Sequence, residues 1–121
     1  MSAHILIAED EPMIGRILEH KLAREGHRVS WVRQCSALRD ALRGGDVDVA
    51  LVDVTLDGDG LELMATAGET PRCGWVALVE QRNVAAQSRA VEVGAAAVVL
   101  KPFKPTAVAA LVLDLLQGAA V

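Results

Sequence analysis

Four side chains in this sequence have the types needed for metal-assisted transfer chemistry, and each lies at the end of a short apolar run. Glu9 and Asp10 follow His4–Ala8 (HILIA), Asp53 falls near the end of Val49–Val54 (VALVDV), and Lys101 follows Ala97–Leu100 (AVVL). Brought together, three carboxylates and one ammonium would repel strongly. Two like charges about 4 Å apart cost roughly 4 kcal/mol at an effective dielectric of 20, and protonation or a cation must relieve that. An all-oxygen donor set favours a hard ion, and Mg2+ is the usual occupant of a small site that retains water. A carboxylate beside Mg2+ and a lysine can accept a phosphoryl group. Metal and ammonium neutralise the transferring oxygens while the carboxylate attacks phosphorus.

Regular elements must carry these residues to one place, and the hydropathy pattern supplies them. Pro12 suits the first turn of a helix in which Ile14, Ile17, Leu18 and Leu22 recur at helical spacing up to Gly26. Arg28–Val32 (RVSWV) alternates as a strand does. Ser36 is placed to cap a helix with Leu38, Ala41 and Leu42 inward, closed by Gly44 and Gly45. Val49–Val54 is almost wholly apolar, as befits a central parallel strand covered on both faces. The polar loop Thr55–Gly60 leads into a helical run over Leu61–Ala67. A strand at Trp75–Val79, a helix near Val84–Val93 stopping at Gly94, the strand Ala97–Leu100 and a last helix from Pro105 and Thr106 to Gln117 complete the chain. Five strands alternating with five helices predict a parallel sheet with helices on both sides, an α/β doubly wound three-layer sandwich. Ligands of such folds sit outside the carboxyl ends of the strands, where Glu9, Asp10, Asp53 and Lys101 fall.

Composition narrows the function classes. With 121 residues, one domain is expected, and 52% hydrophobic against 23% charged residues excludes intrinsic disorder. The longest apolar run, Ala107–Leu113, is far too short to span a membrane. No secretion signal is recognisable, so a cytoplasmic protein is expected. A net charge of −4 argues against direct nucleic-acid binding by this domain. Cys35 and Cys73 stand apart without CxxC spacing and read as buried thiols; His4, His20 and His27 lack ligand spacing and read as surface side chains.

Rival chemistries fit less well. Asp53 alone could be a mere strand-capping aspartate, and Lys101 alone a solvated lysine. Asp53, Thr55, Asp57 and Gly58 brush against a calcium-loop pattern, but the twelfth position is Met64 instead of Glu and the preceding element is a strand. VALVD suggests a nucleotide hydrolase, yet no GxxxxGK[ST] loop is present. A haloacid-dehalogenase phosphatase would need a second Asp where Thr55 stands.

Taken in order, the strand followed by Glu9-Asp10-Glu11, VALVDV with Asp53, and Lys101-Pro102-Phe103 resemble the three signature sites of receiver domains of two-component response regulators. The similarity spans essentially the whole chain. It implies a flavodoxin-like fold with strand order 2-1-3-4-5, and a signalling phosphoacceptor in place of an enzyme. Asp53 would receive phosphate from a sensor histidine kinase or phosphotransfer protein, with Mg2+ as cofactor. Asp10 would bind the metal directly and Glu9 through water, with Asp53 and the backbone carbonyl of Thr55 completing the protein ligands. Lys101 would contact phosphoryl oxygen, and the Lys101–Pro102 bond would be cis.

The sequence departs from that family at three places. Val79 stands where receivers usually carry Ser or Thr, and valine keeps threonine's shape without its hydroxyl. Val98 replaces the aromatic switch residue, and the chain has no Tyr. The loop after Asp53 lacks the common Pro and is about one residue short; with its two glycines, Asp57 and Asp59 read as turn formers. Two outcomes stay open: a receiver that signals through another movement, such as the Thr55–Gly60 loop, or a pseudo-receiver that docks or dimerises independently of phosphorylation. The last helix also stands out, since only Asp114 and Gln117 are polar between Ala107 and Gln117. An apolar face centred on Val108, Leu111, Val112 and Leu115 is therefore expected, serving a homodimer or a partner on the surface of the fourth helix, fifth strand and fifth helix.

Overall fold

The near-continuous apolar runs become the strands of one parallel sheet. The computed structural model describes residues 3–56, 59–66 and 73–118. Its elements are β1 (His4–Ala8), α1 (Pro12–Arg24), β2 (Arg28–Val32), α2 (Cys35–Gly44), β3 (Val49–Asp53), α3 (Gly60–Thr66), β4 (Gly74–Glu80), α4 (Val84–Glu92), β5 (Ala97–Lys101) and α5 (Pro105–Leu116). The sheet runs β2-β1-β3-β4-β5 with every pair parallel, as expected. The predicted segments agree with these elements to within a residue or two; Ala67, Asp57 and Gly58 lie outside the described residues.

Alternation along the strands splits the core into two layers. Leu6, Ala8, Ala50, Val52, Ala77 and Val79 face α2, α3 and α4, whose Leu38, Leu42, Leu61, Met64 and Ala90 cover them. Ile5, Ile7, Val49, Leu51, Val76 and Leu78 face α1 and α5, covered by Leu18, Leu22, Val108, Ala109 and Val112. Burial on both sides explains why β1 and β3 show no polar alternation.

Several expectations are corrected. Ser36 does not cap α2: Gln34 holds the extended cap position, and Ser36 lies within the first turn. His4 is not a surface side chain. It is buried, with Nε2 2.7 Å from Ser30 Oγ and Nδ1 3.2 Å from the Asp46 carbonyl, and its amide donates to Asp48 Oδ2. The anticipated interface on α5 is misplaced, since Val108 and Val112 are 1% and 0% exposed and belong to the core, with Leu111 and Leu115 half-buried against it. Among the described residues, the large apolar side chains of α4, β5 and α5 that do reach solvent are Val84, Val91, Leu100 and Leu113. Cys35 and Cys73 form no disulfide and are only partly buried, and Cys35 Sγ donates to the Leu56 carbonyl at 3.2 Å.

Gly15 shows how closely α1 meets the sheet. A Cβ built there would lie 2.1 Å from Trp31 Cε2 and Cζ2, so the indole ring of β2 occupies the space a side chain would need. A glycine inside a helix normally costs about 0.5–1 kcal/mol relative to alanine. Here close approach outweighs propensity. Gly15→Ala should therefore lower stability by about 1–3 kcal/mol, as overpacking does, measured by urea unfolding; a rise in the urea midpoint would contradict this packing.

Candidate functional site

Parallel register brings the carboxyl ends of three strands to one edge of the sheet, with β5 running two residues beyond the level of Asp53. Ala8 of β1 pairs Val52 of β3, so Glu9 emerges beside Asp53, the last residue of β3. Asp53 pairs Leu78, and Glu80 pairs Lys101, the last residue of β5. Lys101 Nζ reaches back across the sheet end to lie 2.7 Å from Glu9 Oε1 and 3.3 Å from Asp53 Oδ2. All three are buried, Glu9 at 0%, Asp53 at 4% and Lys101 at 7% exposure. The Lys101–Pro102 bond that follows is cis, as expected. Gly60, at the start of α3, leaves room beside the site, since a Cβ there would come 2.6 Å from the Asp53 carbonyl.

Asp53 is tied at both oxygens. Thr55 donates to Oδ1 through its amide at 2.9 Å and its hydroxyl at 2.8 Å, while Lys101 donates to Oδ2. Sequence reasoning gives Thr55 only a backbone carbonyl and misses this hydroxyl. Asp-Val-Thr is a spacing at which a side chain closes onto the main chain two residues on, and that is the signal that could have found it. Asp59, anticipated as a turn former, accepts from the Glu62 amide in the first turn of α3. Val79 is buried in the layer under α2, α3 and α4, and Val98 packs against the same layer.

The electrostatics follow from crowding two buried carboxyls around one ammonium. Burial, reinforced by contact with Asp53, pushes the Glu9 carboxyl up to about 8. Burial acts the same way on Asp53, but contact with Glu9, the Thr55 donors and the Lys101 charge overcome it and hold the carboxyl below its usual range. For Lys101 burial works against the charge, yet Glu9 and Asp53 win and raise it. Lys101 is shared between the two carboxyls, 2.7 Å from Glu9 and 3.3 Å from Asp53, and burial favours the protonated form of Glu9 while its donors favour the ionised form of Asp53.

Oxygen atoms of Glu9, Asp10 and Asp53 lie within 4.8 Å of one another, with Asp10 exposed at the mouth. Glu9 Oε1 touches the ammonium outside hydrogen-bond geometry and is buried without a hydrogen-bond donor. An all-carboxylate group with an unfilled buried acceptor fits a hard divalent cation. Glu9, Asp10, Asp53 and Lys101 are therefore brought together as the sequence indicated, and Thr55 stands beside them.

This fold and this acidic strand-end site coincide with a known family. The sequence model of the response regulator receiver domain matches residues 5–113, and the chain belongs to that family. It is a receiver domain of the two-component signalling systems, whose members are signalling modules that bind Mg2+ at an acidic pocket and interact with histidine kinases or phosphotransfer proteins. The chain is 30% identical over 105 residues to the TorCAD operon transcriptional regulatory protein TorR of Escherichia coli K12, covering 86% of this chain and 46% of that protein. It is 34% identical over 103 residues to the uncharacterized transcriptional regulatory protein YkoG of Bacillus subtilis, covering 84% and 45%. The chain thus spans about half the length of these curated relatives. The receiver domain of TorR superposes with a TM-score of 0.89 at 29% identity, covering 96% of this chain and 98% of that structure. A putative response regulator from Chloroflexus aurantiacus shares the fold, with a TM-score of 0.88 at 24% identity over 97% and 99% of the two chains. Among the described residues no helix is long and apolar enough to cross a membrane.

The displaced Glu9 gives a signed pH effect. Between its ordinary 4.5 and about 8, the folded metal-free chain keeps a proton that the unfolded chain has lost. Stability from this group is therefore full below about 4.5, falls as pH rises through that window, and stops falling above about 8. Glutamine cannot ionise. In EDTA, the melting temperature of Glu9→Gln should gain on the wild type as pH is raised from about 5 to about 9; a difference independent of pH would contradict the buried, proton-holding Glu9.

Proposed function

We propose that this receiver domain accepts a phosphoryl group on Asp53, with Mg2+ held by Asp10 and Asp53 directly, by Glu9 through water, and by the Thr55 carbonyl. The observation that carries the reading is the buried Asp53 carboxylate, kept ionised by Lys101 at 3.3 Å and by the two Thr55 donors at the carboxyl edge of the sheet. An ionised carboxylate is the nucleophile this step requires. One Asp53 oxygen bonds to phosphorus as the P–N bond of a donor phosphohistidine breaks, and the departing imidazole takes up a proton. Held by these residues, Mg2+ would supply neutralisation of the phosphoryl oxygens. Lys101 contributes to the same neutralisation. Once Asp53 loses its charge to the new bond, the ammonium is free to follow the negative charge onto the phosphoryl group. Glu9 and Asp10 hold the cation and close the pocket to one hard ion. The chain's part is that of a substrate for its phosphodonor, with at most self-catalysed gain and loss of the phosphoryl group.

A protein phosphodonor suits the surroundings. Met13 is 73% and Ile17 45% exposed on the α1 face beside the site, and an apolar cleft of about 150 Å3 lined by Ile14, Ile17, Pro102, Phe103 and Pro105 adjoins Lys101. Two valines at positions 79 and 98 leave no hydroxyl at the end of β4 and no aromatic ring on β5 to relay the change. The signal is then carried on the other side of Asp53, by Thr55. Its hydroxyl and amide both donate to Asp53 Oδ1, one oxygen of the carboxylate that phosphorylation alters.

Incubation with acetyl phosphate and Mg2+ tests the assignment. The expected result is a mass gain of about 80 Da, one phosphoryl group on an activated carboxylate, that EDTA prevents and Asp53→Asn abolishes. No adduct on the folded wild-type chain would overturn it and leave a docking module in its place.

A further inference from the structure

We propose that Trp31, outside the metal and phosphoryl site, is the positioning residue that holds the acidic turn in its metal-binding form. The proposal rests on the reading of Glu9 and Asp10 as the metal-side acids. Trp31 lies one residue before the end of β2, paired with Ile7 of β1, so its side chain is carried to the edge of the β1–α1 turn. Its indole Nε1–H donates to the Glu9 carbonyl at 2.9 Å. The Glu9 amide donates to the Val32 carbonyl at 3.1 Å. Both main-chain groups of Glu9 are therefore held by β2, and the Glu9 carbonyl belongs to the peptide plane that sets the direction of Asp10.

The far end of the turn is held by the same ring. Its Nε1–Cε2–Cζ2 edge presses on Gly15, where no Cβ fits, and Gly15 donates to the Glu11 carbonyl at 3.0 Å to close the first turn of α1. The Arg33 guanidinium, on the residue just after β2, lies over the ring 4.4 Å from its centroid. One rigid aromatic side chain thus brackets residues 9 to 15, touching the main chain between Glu9 and Asp10 and the helix that follows. Trp31 is half-buried, so its N–H could be met by water, and partial burial alone would not require contact at both ends of one turn. The glycine that admits the ring at the second end marks this packing as specific. Asp10, exposed and without packing of its own, gets its direction from that turn.

Two replacements separate the donor from the ring. Trp31→Phe keeps an aromatic ring at this position but loses the N–H together with part of the edge that meets Gly15. Benzothienylalanine at position 31 keeps the indole shape and loses only the N–H, and serves if the Phe variant fails to fold. Mg2+ binding is followed by calorimetry on the full chain, and amide hydrogen exchange by NMR in EDTA. Losing one such hydrogen bond should weaken Mg2+ binding about fivefold, the equivalent of about 1 kcal/mol. Exchange at the Glu9 and Glu11 amides should quicken by a similar factor while Ile5 and Ile7 keep their protection. Unchanged Mg2+ affinity, or exchange that quickens equally through β1, would overturn the proposal and leave Trp31 a packing residue. If the wild-type chain itself binds no Mg2+, the metal assignment fails, and the exchange at Glu9 and Glu11 alone decides whether Trp31 holds the turn.

Discussion

One buried ammonium holds this site together. Lys101 enters from the end of β5 and lies between Glu9 and Asp53, two carboxyls that the parallel register forces to the same edge. Without it, the carboxyls would face each other in a desolvated pocket, where like charges cost several kcal/mol. With it, the charges sort themselves: Asp53 stays ionised and Glu9 keeps a proton up to about pH 8. A single positive charge cannot satisfy both acids. The remaining demand for positive charge, sharpened by Asp10 at the rim, is what a divalent cation would meet.

The scaffold follows from the same requirement. Parallel strands place their carboxyl ends side by side, so Asp53 and Lys101, 48 positions apart, and Glu9 and Lys101, 92 positions apart, come within contact distance. Both faces of the sheet must then be covered, and the two apolar layers do this with α1 and α5 on one side and α2, α3 and α4 on the other. Rigidity at the sheet ends matters because the reacting groups sit on or next to strand termini, where each side chain inherits its direction from the strand. The acids after β1 are the exception, since they lie in a turn and take their order from contacts to β2 and α1.

Most of this architecture could be read from residue order. Apolar runs such as VALVD announce a strand buried on both faces, and the ends of three such runs carry the acids and the lysine. What could not be read depended on packing between distant segments. The last helix is apolar nearly all round, so hydropathy gives it no phase, and Val108 and Val112 turned out to face the core instead of solvent. His4 reads from the sequence as a surface side chain, because its partners, Ser30 of β2 and Asp46 before β3, are brought to it only by the fold. Gly15 and Trp31 are sixteen positions apart, and no spacing rule connects a helical glycine to an indole on the next strand. Ser36 is a good cap by type, but the chain turns two residues earlier, at Gln34.

The claim that these side chains form one cation site is tested most directly by anomalous diffraction from crystals soaked in Mn2+, which prefers the same hard oxygen donors as Mg2+. One strong peak is expected at the carboxyl end of the sheet, about 2–2.3 Å from oxygens of Asp10 and Asp53, with Lys101 Nζ still beside Asp53. A peak elsewhere on the chain, or none at saturating Mn2+ with the acids ordered, would contradict it.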